Sequence, residues 1–195
     1  MTSEQAAFTT ALAATLTSRR PDRLSIELIA STPDDGLTEL VFETLWRMWE
    51  EDFACDTAQL LASLPEGARC LYLTSIAEGQ VLNGGFAQLY QNGYGRQRDD
   101  MVRAFDYFSA AKYAALMREA NKVYGKNRLR IWIFSGRTGQ LQRKLFQRDL
   151  LPSMLPDLEN LDSRFYEDEG ELGTFRVAKI RATPDSFVLR SAAQR

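Results

Sequence analysis

The stretch VLNGGFAQLYQNGYG, Val81 to Gly95, interrupts helix-forming, apolar-rich sequence at Asn83-Gly84-Gly85 and again at Asn92-Gly93-Tyr94-Gly95. Asparagine and glycine tolerate the left-handed backbone that ends helices, so each cluster reads as a stop. Between the stops, Phe86, Leu89 and Tyr90 mark about two helical turns. So short a helix does not hold itself in water, and packing of Phe86 and Tyr90 must support it. The same glycines invite a ligand loop. However, Gly93 and Gly95 are followed by Arg98 where a dinucleotide fingerprint needs a third glycine, and no G-x-x-x-x-G-K-[ST] occurs. The stretch therefore reads as two stops around a packed helix, with Gln88 and Asn92 placed to hydrogen-bond the turns.

Upstream of it, Pro65-Glu66 opens a helix with proline and acid in its first turn, and Cys70, Leu71, Leu73, Ile76, Ala77 and Val81 face inward. Asp56 is placed to cap a short helix through Leu64. From Leu37 to about Phe53, one stripe at helical spacing holds Leu37, Val41, Leu45 and Met48, and an adjoining one holds Phe42, Trp46, Trp49 and Phe53. So wide an apolar arc needs cover on more than one side, which predicts a homodimer. The segment Leu24 to Ser31 fits either a short strand or a helical turn, and Ser3 to Ser18 reads as a peripheral helix ended by Arg19-Arg20-Pro21.

Downstream, Arg98 to Ala110 and Ala111 to Tyr124 read as helices, with Met101, Phe105, Phe108, Tyr113, Leu116 and Met117 inward. Asn127 to Phe134 alternates as a strand does, but a lone strand has no partner, so it reads as extended or helical. Leu141 to Leu150, Leu158 to Tyr166 and Leu172 to Ala182 complete the set, and Pro184 ends the last. The expected fold is all-α: a single compact multi-helix domain over 57–188, with an N-terminal helical extension over 1–56 and a flexible tail from Leu189.

The chain has 195 residues, enough for one substantial core. It contains no histidine, which excludes Ser-His-Asp and Cys-His catalysis and the usual zinc chemistry. The acidic clusters offer carboxylates without a diagnostic metal spacing, so no cofactor, metal or catalytic residue is expected. Cys55 and Cys70 form no C-x-x-C and are expected as reduced core thiols. No run of about 18 apolar residues occurs, and the start MTSEQAAFTT lacks the features of a signal peptide, so the protein is expected to be soluble and cytoplasmic.

With these elements in view, NGGFAQLYQNGYG preceded by LPEGARCLY resembles the signature of the DMP19 family, also described as the DUF4375 domain. Asn83, Gly84, Gly85, Phe86, Gln88, Tyr90 and Asn92 match its N-G-G-F-x-Q-aromatic-aromatic-x-N core. AFDYFSAAKYAALMREA resembles the family's helix pair around a small-residue junction. LDSRFYE resembles its L-D-x-x-F-Y-x segment, and VAKIRATPDSF its closing Y-I-R-x-x-P-x-x-F. The resemblance covers roughly Leu64 to Phe187. It implies an all-helical fold and, after the founding member, a dimeric DNA mimic that presents acidic surface to a DNA-binding transcription regulator.

The formal net charge is only -2, but the charges are segregated. Asp22 to Asp56 is acidic against Arg23 and Arg47, and Asp149 to Glu171 is acidic against Arg164. Lys112 to Arg148 is basic, with Glu119 as its one acid. The arrangement leaves three readings open. Acidic and basic helices neutralise one another within a monomer or across a dimer. Alternatively, Asp35, Glu39, Glu43, Glu50 and Glu51, with Glu167, Asp168, Glu169 and Glu171, meet a basic, DNA-binding protein. On that reading, carboxylates four apart on a helix are separated by about 6 Å along its axis. In the third, Arg128, Arg130, Trp132, Arg137, Arg143 and Lys144 contact nucleic acid directly. An immunity or antitoxin role is a further alternative, which the sequence does not separate from the second. No membrane partner is expected.

Overall fold

Arg181 shows how this sequence closes on itself. In the computed structural model, which describes residues 24–126, 144, 147–148, 151–167 and 170–189, its guanidinium donates to the carbonyls of Ile29 and Thr32 and to Asp34 Oδ1. Those carbonyls end helix α1 (Ile26–Ser31), and Asp34 begins α2 (Asp34–Glu51). One cation thus satisfies orphan carbonyls at a helix C-terminus and pairs with an acid at the next N-terminus, both favourable to the helix dipoles. The ambiguity over Leu24 to Ser31 resolves as helix because Ser25 accepts from Leu28 N–H and starts it.

The remaining helices are α3 (Thr57–Ser63), α4 (Glu66–Gln91), α5 (Arg98–Tyr107), α6 (Ala111–Lys126), α7 (Leu151–Tyr166) and α8 (Glu171–Ala182). Short 3-10 turns lie at Tyr94–Arg96 and Pro184–Ser186. The described residues contain no strand, and the fold is all-α. They form two compact units, one of the described residues within Met1–Ala68 and Ile180–Arg195 and one of those within Arg69–Lys179.

In the first unit Leu24, Ile29, Leu37, Val41, Leu45, Leu60 and Phe187 are buried. As expected, Asp56 caps α3, its Oδ1 accepting from Ala58 and Gln59 N–H. Gly67 lies against Phe187, where a Cβ would come within 2.8 Å of the ring and of the Ser186 carbonyl. Leu189 is buried and donates its N–H to the Leu24 carbonyl, so it belongs to the core and not to a tail.

In the second unit α6 packs against both α5 and α7. Phe105, Phe108, Tyr113, Leu116, Met117, Leu158, Leu161 and Phe165 fill its core. The α5–α6 junction turns at Ser109, whose φ of 60° lets Ala110 N–H return to the Phe105 carbonyl. Helix α7 is described from Leu151, earlier than the expected Leu158, because it runs through Pro156; Pro152 lies in its first turn, where proline is tolerated. Proline ordinarily ends such a pattern by removing a donor, and here the buried Met154 and Leu158 hold the segment helical. Cys70 is buried as expected, but Cys55 is exposed, since the chain turns outward at Ala54 and Cys55 with φ of 46° and 67°. The expected N-terminal helix, Asn127 to Phe134, and Leu141 to Leu150 except residues 144, 147 and 148 lie outside the described residues.

Candidate interaction surface

The glycines at the motif produce one long helix with a break inside it. Gly84 is extended at φ -173°, and Gly85 takes φ 73° and ψ 179°, a conformation essentially confined to glycine. In an unbroken helix Phe86 N–H would bond the Leu82 carbonyl; it donates instead to Asp162 Oδ1 of α7 at 2.8 Å. The Val81 carbonyl accepts from Tyr166 Oη at 2.9 Å. Phe165, between those two, packs edge-on to Phe86 with centroids 5.9 Å apart. The NGGF and LDSRFY segments are therefore halves of one device, a glycine break whose polar groups are met by a carboxylate and a phenol from another helix. Gly85 also makes room for it, since a Cβ there would lie 2.7 Å from Asp162 Cγ. Burial pushes the Asp162 carboxyl above its ordinary range, against the smaller lowering influence of the Phe86 N–H bond.

The second stop is held as firmly. Gly93 is left-handed at φ 90°. Gly95 lies flat against Tyr124, which stacks on Tyr90 with centroids 4.2 Å apart. Tyr90 Oη donates to Asn121 Oδ1 at 2.9 Å, and Asn121 Nδ2 donates to the Arg98 carbonyl at 3.0 Å. Burial pushes the Tyr90 hydroxyl far above its usual range. Gln88 and Asn92 do not bond the turns; both donate to Gln80 Oε1, at 3.3 and 2.6 Å. Asn83 is exposed. All these contacts are internal to the fold.

One charge is buried outright. Arg176, 3% exposed, donates through Nη1 to Glu78 at 2.6 Å and through Nε to Thr74 Oγ1 at 3.2 Å. Its Nη2 has no hydrogen-bond partner. Burial lowers its pKa, and the neighbouring Glu78 works against that shift.

Two ion pairs join helices of the second unit: Arg164, the one base of its acidic block, forks onto Glu119, the one acid of the basic block, at 2.7 and 3.2 Å, and Arg118 bonds Asp106, which lies in neither acidic block. On α2, however, Asp35, Glu39, Glu50 and Glu51 are exposed and Glu43 is half-buried, with Arg47 the one base of the helix. The apolar arc predicted for this helix divides. Leu37, Val41 and Leu45 enter the core, whereas Phe42, Trp49 and Phe53 are half-buried and Trp46 is 36% exposed. At about 100° per residue, Glu39, Glu43, Trp46 and Glu50 fall along one line of the helix, so acids and aromatics share a face. Trp46 Nε1 donates to Glu50 Oε1 at 3.0 Å, and Trp46 and Trp49 lie 4.8 Å apart. The sequence pattern reads Glu39, Glu43, Arg47 and Glu50 as the face opposite the apolar stripes; the Trp46–Glu50 bond corrects this, because i,i+4 spacing puts those two residues on one face.

Glu167 and Glu171 are exposed in the other unit, and Asp168 and Glu169 lie outside the described residues. Of the basic candidates, Lys144 is exposed, and Arg128, Arg130, Trp132, Arg137 and Arg143 lie outside the described residues. Among the described residues no group of three or more His, Cys, Asp or Glu side chains could hold a metal ion, and no helix is long and apolar enough to cross a membrane.

These features define an all-helical protein whose glycine motif is met by groups of its own fold. The chain belongs to the DMP19 family, since the family model described as DMP19-like protein matches residues 62–182, more than half of its length. No curated protein and no solved structure matches it.

Proposed function

We propose that this chain is a non-enzymatic binding protein that presents the acidic face of α2 to a basic, DNA-binding protein, as a DNA mimic does. The observation that carries the reading is the exposure of Asp35, Glu39, Glu50 and Glu51 on a helix with a single base. Membership of the DMP19 family supports it, and so does the internal use of the glycine motif, which leaves the charged surface to carry function. Such a contact is long-range and steered, and it weakens steeply as salt rises. Affinity capture at low ionic strength should recover basic DNA-binding proteins with the wild-type chain and lose them with Glu39→Lys/Glu50→Lys. Capture of no basic protein, or capture unaffected by charge reversal, would reject the proposal.

A further inference from the structure

We infer that Trp46 and Glu50 form a receptor for an arginine side chain on the protein partner. The inference rests on the reading of α2 as a docking face, and it names what distinguishes that face from a merely acidic one. Trp46 is 36% exposed, so part of its ring is open to solvent, while its indole N–H donates to Glu50 Oε1 at the ring edge, 3.0 Å away. Trp49 packs against Trp46 at 4.8 Å and is itself anchored by donation from Nε1 to Thr57 Oγ1 at 3.0 Å. The ring and the carboxylate are thus held in place before any partner arrives, and ordering them costs little on binding.

A planar cation that stacks on an indole while its edge meets a carboxylate matches this arrangement. Guanidinium has that shape: it lies flat on aromatic faces and presents its N–H groups in a fork that suits a carboxylate. An ammonium is a compact, strongly hydrated point charge and uses only the Coulomb attraction. Glu50 Oε1 keeps lone-pair capacity after accepting from Trp46, and among the described residues no other bond to the Glu50 carboxylate is seen. One line up the helix, Glu39 is exposed about 16 Å away along the axis, so a second basic residue of the same segment reaches it. The occupant is therefore a segment of a basic protein with an arginine at its centre and further bases along it. Nucleic acid is repelled by the same carboxylates.

The test uses the full chain, with two alanine-rich helical peptides that differ only in carrying arginines or lysines at two positions eleven apart, about 16 Å along the peptide and so matched to Glu50 and Glu39. Binding is followed at low ionic strength by tryptophan fluorescence and by calorimetry. The arginine peptide should bind about fivefold more tightly than the lysine peptide. Trp46→Leu and Glu50→Gln should each remove that preference, while Glu39→Gln weakens both peptides alike. Glu50→Gln keeps an acceptor for the Trp46 N–H, so its circular dichroism and melting should match the wild type. Equal binding of the two peptides, unaffected by Trp46→Leu but weakened by Glu39→Gln, would overturn the arginine receptor and leave the acidic docking face standing. No binding of either peptide would overturn both. Self-association of the chain that is abolished by Trp46→Leu would overturn the assignment by making a second copy the occupant.

Discussion

Replacing Gly85 by alanine tests whether the glycine break and Asp162 form one device. The backbone at Gly85, with φ 73° and ψ 179°, costs a residue with a Cβ about 1–3 kcal/mol. That Cβ would also sit 2.7 Å from Asp162 Cγ, so the carboxylate must move and give up the Phe86 N–H. A hydrogen bond to a charged group contributes about 1.5–3 kcal/mol. The middle of the summed range is about 3–5 kcal/mol, a large share of the about 5–15 kcal/mol by which domains are stable. For a chain of this size that corresponds to a melting shift of roughly 8–16 °C. Gly84→Ala is the control, since its backbone is extended and its Cβ would meet the flexible Gln88 side chain. It should cost less than about 1 kcal/mol. Urea unfolding followed by circular dichroism measures both. The double variant Gly85→Ala/Asp162→Ala should be less destabilised than the sum of its parts by about 1–2 kcal/mol, because removing Asp162 removes the collision. If Gly85→Ala is no worse than Gly84→Ala, or the pair is additive, the two segments are not coupled as described.

The other predictions concern charge and space. Because burial raises the folded-state pKa of Asp162 above 3.8, its stabilising contribution is complete below pH 3.8 and is lost as pH rises through the folded value. Asp162→Asn, whose amide oxygen still accepts from Phe86, should lack that slope in acid-range urea titrations; parallel slopes would contradict the assignment. Glu78→Gln should cost about 2–3 kcal/mol by leaving the Arg176 charge unpaired, somewhat less than a wholly buried pair because the Glu78 side chain is 24% exposed. Arg176→Met/Glu78→Leu should recover most of that loss in the same assay, and failure to recover would locate the cost elsewhere. Gly79→Ala should raise stability by about 0.5–1 kcal/mol, since no atom lies within 4 Å of its added Cβ, whereas Gly67→Ala should lower it by about 1–3 kcal/mol against Phe187 and the Ser186 carbonyl. Thermal melts of the two variants moving in the same direction would refute the packing described.

The helices around Leu37, Cys70, Met101 and Tyr113 were legible because burial imposes a 3.6-residue period that the side chains display. The stops at Gly85 and Gly93 were legible because few residues besides glycine accept such backbone. What accepts the freed N–H of Phe86 was not, since Asp162 lies 76 residues away and local sequence carries no signal for the pairing. The start of α7 was missed because Pro156 is a local signal against helix that tertiary packing overrides. Composition showed that acids dominate α2, but an amphipathic pattern alone cannot say which apolar stripe the core takes. Leu37, Val41 and Leu45 enter it, leaving Trp46 outside beside Glu50.

The central claim, that α2 docks where a basic protein holds DNA, is tested most directly by competition. A DNA-binding protein captured by the wild-type chain is loaded with fluorescent duplex DNA, and the chain is titrated in while anisotropy is read. The account predicts that DNA is displaced stoichiometrically by the wild type and not by Glu39→Lys/Glu50→Lys. A ternary complex that keeps the DNA bound, or displacement that survives the charge reversal, would contradict it.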